Sequence, residues 1–323
     1  MNFVLPMALG ALGALGALGA LAAAAPEPAP APASAAIVRA AQEAERVSGA
    51  VVGVSILHLE SGRRIAHRGA ESFQMASVFK VPVAIAALDA VEKGTLTLER
   101  EVEIRPADRR RVGPIDDEWK PGMRVSIARM IEVMLVHSDN TAADKLIALL
   151  GGPTAIESDL VSHELRDIRI SLDEKGMGAA MKKNLAAFES GAQNGASPDA
   201  MATLLTRLFR GELLPRPRTE FMLDAMRRCA TGDRRLRAGL PKGTEVRDKT
   251  GTSRSCANDA GILTLPDGTH LVLAVFVRGG PEGSARDAAI ASVARAVWQA
   301  FAPERAASGG TAPRASLRAW SSP

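Results

Sequence analysis

The spacing of apolar positions along this chain changes twice, which divides it into three parts. Near the start, Ile37, Val38, Ala41 and Ala44 recur at helical spacing and predict a helix over residues 35–47. Residues 50–57 are rich in valine and isoleucine and predict a strand. A turn at 60–63 predicts a second, short strand after it. Residues 77–237 then read mostly as helices joined by long loops, with helices predicted over 77–91, 126–136, 140–149 and 198–209. Strands return over 245–249, 259–265 and 270–277, with Pro266-Asp267-Gly268 as a turn signal. An amphipathic helix over 284–301 closes the pattern.

Strands at both ends with helices between them predict an α/β fold of two lobes. One lobe is an antiparallel sheet built from both ends of the chain and covered by the terminal helices. The other is all-α. A cleft between lobes is the expected place for a site. Ser77 begins the first inserted helix and Lys249 ends a strand, so the two are expected to face each other across that cleft.

The segments outside this pattern set the domain limits. Residues 1–25 repeat Ala, Leu and Gly and read as an export signal, or as a membrane anchor if retained. That places the protein in the periplasm or outside the cell. Residues 26–34 alternate Ala and Pro and suit an extended linker. The folded domain is expected over 35–303, and the Ser-, Gly- and Arg-rich residues 304–323 read as a disordered tail.

Composition removes several alternatives. The net charge of +4 is modest, and the dense run Arg109-Arg110-Arg111 has no interleaved aromatic residues. It is expected to be a solvated loop rather than a nucleic-acid surface. The five histidines show no paired ligand spacing, so neither a metal nor another cofactor is expected. Cys229 and Cys256 read as two small buried thiols, with a disulfide between them as the alternative in an oxidising compartment, and neither flanks Ser77. The chain has no tyrosine, so a proton shuttle must use Ser, Lys, Glu, Asp or His.

Three short motifs carry candidate chemistry. Met75-Ala76-Ser77-Val78-Phe79-Lys80 places a hydroxyl and an amine three residues apart, about one helical turn. A neutral lysine there can take the proton that a serine does not shed unaided. Ser138-Asp139-Asn140 and Lys249-Thr250-Gly251-Thr252 follow in order. Asp139 and Asn140 also suit a helix N-cap. His137, beside Ser138, reads as a packed helix residue because Lys80 already supplies a base.

These motifs, in this order, resemble those of the class A serine β-lactamase family within the penicillin-recognising serine hydrolases. Further segments that resemble the family are Gly151-Gly152-Pro153 and residues 231–241, from Thr231-Gly232-Asp233-Arg234-Arg235 to Pro241. The resemblance covers residues 35–303. It implies a monomeric enzyme that opens β-lactams through an acyl-enzyme on Ser77. It assigns proton acceptance or relay to Lys80 and proton transfer to the leaving nitrogen to Ser138. Asn140 would hold the substrate's side-chain amide. Lys249, Thr250, Gly251 and Thr252 would grip its carboxylate, with Arg235 as guanidinium partner and Arg234 or Arg237 as alternatives. Backbone N–H groups of Ser77 and Thr252 would form the oxyanion hole.

One segment departs from the family. The Glu-x-x-Leu-Asn pattern that carries the deacylating glutamate is absent, and residues 171–184 stand in its place. Counting without gaps from Ser138 puts Glu174 at that position, with Asp173 and Glu189 as alternatives. A penicillin-binding D-alanyl-D-alanine carboxypeptidase-like or esterase-like hydrolase that deacylates β-lactams poorly is therefore the competing expectation. A β-lactam sensor would need a further output segment, and none is legible in the sequence.

Overall fold

Five antiparallel strands form the central sheet of the computed structural model, which describes residues 32–281 and 283–302. They are β1 (Ala50–His58), β2 (Arg64–His67), β3 (Val246–Thr252), β4 (Cys256–Thr264) and β5 (His270–Gly279). Their spatial order is β2-β1-β5-β4-β3, so strands from both ends of the chain meet at the β1–β5 ladder. Residues 1–31 and 303–323, which include the export tract, most of the linker and the expected tail, lie outside the described residues.

The sheet is buried on both faces, and the period of two in β5 accounts for it. Leu271, Leu273, Val275 and Val277 pack against the terminal helices Pro32–Ser48 and Ser284–Phe301. Val272, Ala274 and Phe276 point the other way, into the core shared with the helical lobe. Each fully buried Leu or Val of this kind contributes roughly 1.5–3 kcal/mol.

Most predicted elements are present, with shifted ends. The first helix begins at Pro32, so three residues of the expected linker belong to it. The strand expected to end at Lys249 continues to Thr252, which puts Lys249 in mid-strand. Helices Ile127–Val136, Asn140–Leu149 and Pro198–Phe209 start where Ser126, Asp139 and Ser197 accept backbone N–H bonds as N-caps. Helices Pro153–Ser162 and Arg216–Arg227 add to those named from the spacing, and Glu174–Lys183 lies where a loop was expected.

One expectation about side chains changes, and the reading of the cysteines as buried thiols holds. Arg109 pairs with Asp116 and lies over the Trp119 ring, while Arg110 pairs with Asp144. The arginine run is therefore tied into the fold at two of its three positions rather than solvated throughout. Cys229 and Cys256 are buried and unpaired.

Candidate active site

Pro82 decides where the candidate nucleophile sits. An α-helix begun at Ser77 would drive the Pro82 ring against the Val78 carbonyl and leave that carbonyl without a donor. The chain instead makes a 3₁₀ turn over Ala76–Phe79 and enters the α-helix at Lys80. Side chains three apart eclipse in a 3₁₀ turn. Ser77 and Lys80 thus stand in line, and Lys80 Nζ donates to Ser77 Oγ at 3.1 Å. Ala76 opens the turn at φ 44°, a left-handed value that costs a non-glycine residue about 1–3 kcal/mol. The surroundings hold it there. Asn258 Nδ2 donates to the carbonyls of Gln74 and Met75 at 2.7 and 3.0 Å.

Ser138 joins two helices at φ 59°. Asp139 caps the second of them, accepting from Ala142 N, and also accepts from Ile115 N, both at 2.8 Å. With Asp139 turned to the backbone, its two neighbours face Lys80. Lys80 Nζ donates to Ser138 O at 2.7 Å, Ser138 Oγ at 3.2 Å and Asn140 Oδ1 at 2.5 Å. The capping and chemical readings of this tripeptide therefore coexist. His137 lies past the last helical residue and is exposed, so it is not the packed helix histidine expected.

Lys249 reaches the same serine from the sheet. Its Nζ donates to Ser138 Oγ at 3.1 Å and to Thr250 O at 2.7 Å. Ser138 Oγ is thus bracketed by two amines. Gly251 lets β3 come this close: a Cβ there would lie 2.3 Å from Met75 O in the nucleophile turn. Burial, with the charge on Lys80, pushes the Lys249 amine down to about 8. Burial also lowers Lys80, and the nearby Glu174 carboxylate opposes that shift.

Glu174 is the acid that the fold brings in. Its Oε1 lies 2.8 Å from Lys80 Nζ, a charge contact. Asp144 accepts from Glu174 N at 2.7 Å and so fixes the start of the helix Glu174–Lys183. Asp173 is the N-cap of that helix, accepting from Gly176 N at 2.7 Å. Glu189 ends the next short helix, Leu185–Glu189. Of the three acids weighed from sequence, Glu174 alone has a charge contact with Lys80 among the described residues.

Arg235 is buried at the end of the site nearest Thr252. Its guanidinium donates to Asp287 Oδ1 at 2.7 Å, to Gly251 O and Asn258 O at 2.9 Å each, and to Thr252 Oγ1 at 2.7 Å. Arg234 is exposed, and Arg237 pairs with Asp248, so neither takes this place. Sequence reading missed the supports: Asp144, Asn258, Asp287 and Thr231, whose hydroxyl lies 2.5 Å from Thr250 Oγ1. Asp144 carried a signal, being four residues after Asn140 on one helix face. Asn258 carried another, as an amide within an apolar strand. Among the described residues, no group of three or more His, Cys, Asp or Glu side chains has the geometry to hold a metal ion.

Known proteins match this arrangement. The profile of the β-lactamase enzyme family matches residues 35–301. β-Lactamase VEB-1 of Pseudomonas aeruginosa is 31% identical over 267 residues, which span 79% of this chain and 87% of that protein. The crystal structure of a β-lactamase from Chitinophaga pinensis shares 32% identity at a TM-score of 0.76, covering 82% of this chain and 98% of that one. A PBP-A mutant, solved as an acyl-enzyme complex with penicillin G, shares 29% identity at a TM-score of 0.74, covering 83% of this chain and 96% of that one. With the motifs gathered around one amine and the match running through the whole folded region, the chain belongs to the β-lactamase enzyme family, in its class A serine group.

Proposed function

We propose that this protein is a serine β-lactamase that hydrolyses the β-lactam amide through an acyl-enzyme on Ser77 and confers β-lactam resistance. The observation that carries this reading is the crowding of oxygens from Ser77, Ser138, Asn140 and Glu174 around Lys80 Nζ. An ammonium has three protons to give, so these acceptors share them. Burial shifts Lys80 toward the neutral amine, whose lone pair can accept the Ser77 proton, while the Glu174 carboxylate opposes that shift.

In this reading Ser77 Oγ attacks the lactam carbonyl while Lys80 takes its proton. Backbone N–H groups of Ser77 and Thr252 stabilise the oxyanion that forms in the transition state. Ser138, held between Lys80 and Lys249, passes a proton to the departing ring nitrogen. Asn140 binds the substrate's side-chain amide. Lys249, Thr250, Gly251 and Thr252 grip the ring carboxylate, and Arg235 supports that grip through Thr252 Oγ1. Glu174 then activates a water against the ester, which frees Ser77.

Mass spectrometry after mixing with benzylpenicillin tests the assignments. Ser77→Ala is expected to form no adduct. Glu174→Gln is expected to accumulate one, with turnover reduced by about 10²–10⁴. Undiminished turnover in the Glu174 variant would move the deacylating role to another group.

A second reading, a penicillin-binding carboxypeptidase-like or esterase-like hydrolase, is favoured by one observation. The family's Glu-x-x-Leu-Asn pattern is absent, and Glu174 opens a helix that carries Gly176 and Gly178 instead. Steady-state nitrocefin hydrolysis supports the first reading, and a single turnover leaving a stable adduct supports the second. We further propose that the protein is exported to the periplasm or beyond, on the strength of the apolar tract over residues 1–25. N-terminal sequencing of protein from a periplasmic extract tests removal of that tract, and a mature form beginning at Met1 in the membrane fraction would indicate an anchor.

A further inference from the structure

The turn over residues 229–232 is fitted against Thr250 from behind. Thr231 Oγ1 lies 2.5 Å from Thr250 Oγ1 and 3.4 Å from Cys229 Sγ. Cys229 Sγ also lies 3.7 Å from Thr231 O. Gly232 sits at φ 78°, and a Cβ there would meet Thr250 Cγ2 at 2.4 Å. On its other side, Thr250 is held by Lys249 Nζ, which donates to its carbonyl at 2.7 Å.

The contact between the two threonine hydroxyls uses one proton, and its direction decides what Thr250 offers to the pocket. If Thr250 donates inward, the Thr231 proton is left to sulfur, a weak acceptor. If Thr231 donates to Thr250, the thiol donates to the oxygens of Thr231, and the Thr250 proton points out. Burial pushes the Cys229 thiol up, which keeps it protonated and able to donate. The second arrangement satisfies every group, and the first wastes a strong donor on sulfur.

We propose that Cys229 and Thr231 are positioning residues that turn the Thr250 hydroxyl outward as a donor to the substrate's carboxylate. The chain of donors runs from thiol to hydroxyl to hydroxyl to anion. The proposal rests on the reading of Lys249–Thr252 as the carboxylate grip. It adds that this grip is preset by a thiol and a hydroxyl behind the strand.

Equilibrium binding separates the proposal from the chemistry. In a Ser77→Ala background, which removes acylation, calorimetry gives Kd for benzylpenicillin and for its methyl ester. Adding Thr231→Val leaves the Thr250 hydroxyl free to rotate among its staggered positions, so it is expected to weaken the acid roughly threefold and to leave the ester unchanged. Adding Thr231→Ser keeps the hydroxyl and is expected to keep the preference for acid. Cys229→Ser keeps a donor behind Thr231 and is expected to keep the preference for acid. Cys229→Ala removes that donor and is expected to weaken the acid and leave the ester unchanged, a split that a packing defect would not produce. An unchanged acid Kd in the Thr231→Val variant overturns the proposal, as does equal weakening of acid and ester or the reverse order of the two cysteine variants. If the Ser77→Ala protein itself does not prefer acid to ester, the carboxylate grip is wrong and the proposal falls with it.

Discussion

Lys249 holds a charge where burial makes charge costly. Its amine is pushed from the ordinary 10.5 down to about 8. Above that pH it loses the proton that would attract a carboxylate. KM for a lactam acid is therefore expected to rise as pH passes through about 8, while KM for the matching ester stays flat; a flat acid profile would remove Lys249 from carboxylate binding. The same shift has a stability consequence of definite sign. The unfolded chain binds this proton more tightly than the folded one, so stability rises with pH from about 8 to 10.5. At neutral pH the buried charge costs on the order of 3 kcal/mol. Lys249→Met is accordingly expected to raise Tm while weakening substrate binding. Arg235 behaves in the opposite way. It is almost fully buried and satisfies Asp287, two carbonyls and the Thr252 hydroxyl. Arg235→Ala should raise KM for lactam acids by releasing Thr252. It should also destabilise by up to about 3–5 kcal/mol, since removing one partner of a buried ion pair strands the other. An unchanged KM would limit Arg235 to a structural role.

At the scale of elements, the nucleophile turn and β3 are built to touch. The turn owes its 3₁₀ form to Pro82, and β3 owes its closeness to Gly251. Gly251→Ala would press a methyl group onto backbone rather than onto a side chain able to move. We expect a loss of roughly 1–3 kcal/mol in stability, the usual cost of overpacking, and a larger loss in acylation rate. Denaturant melts and the rate of penicillin adduct formation check the two; equal stability and rate in the variant would mean the strand has room to move. Legibility in sequence follows the same local logic. Asn140–Leu149 was readable to the residue because Asp139 caps it and its apolar positions recur. Glu174–Lys183 was not, because it contains Gly176 and Gly178 and buries only Met177. Its cap at Asp173 is local, but Asp144, which holds its first residue, is thirty positions away.

At the scale of the whole molecule, the two lobes share a core. One hydrophobic cluster joins Ile262, Val272, Ala274 and Phe276 of the sheet to Ile85, Leu88, Met130 and Leu146 of the helical lobe. The site draws Ser77 and Lys80 from the junction, Ser138 and Glu174 from the helical side and Lys249 from the sheet. A shared core ties the unfolding of one lobe to that of the other. Far-UV circular dichroism, near-UV circular dichroism and lactam turnover are thus expected to fall at one denaturant midpoint. Separate midpoints would mean that the lobes unfold independently.

The sequence by itself determined the class of fold and the family, and it named the candidate acylating residues. These rest on local signals: alternation in strands, helical spacing, side-chain caps and motifs whose members lie within a few positions of each other. Tertiary structure decided what depended on distant partners. It brought Glu174 rather than Asp173 or Glu189 to Lys80, because Asp144 holds the backbone there. It chose Arg235 over Arg234 and Arg237, because two carbonyls of the sheet and Asp287, which also pairs with the exposed Arg234, bury the Arg235 guanidinium. It also set Thr231 and Cys229 behind Thr250. Spacing along a chain reports which side chains share a face, whereas contact between remote segments depends on how those faces pack, and that is settled only when the core closes.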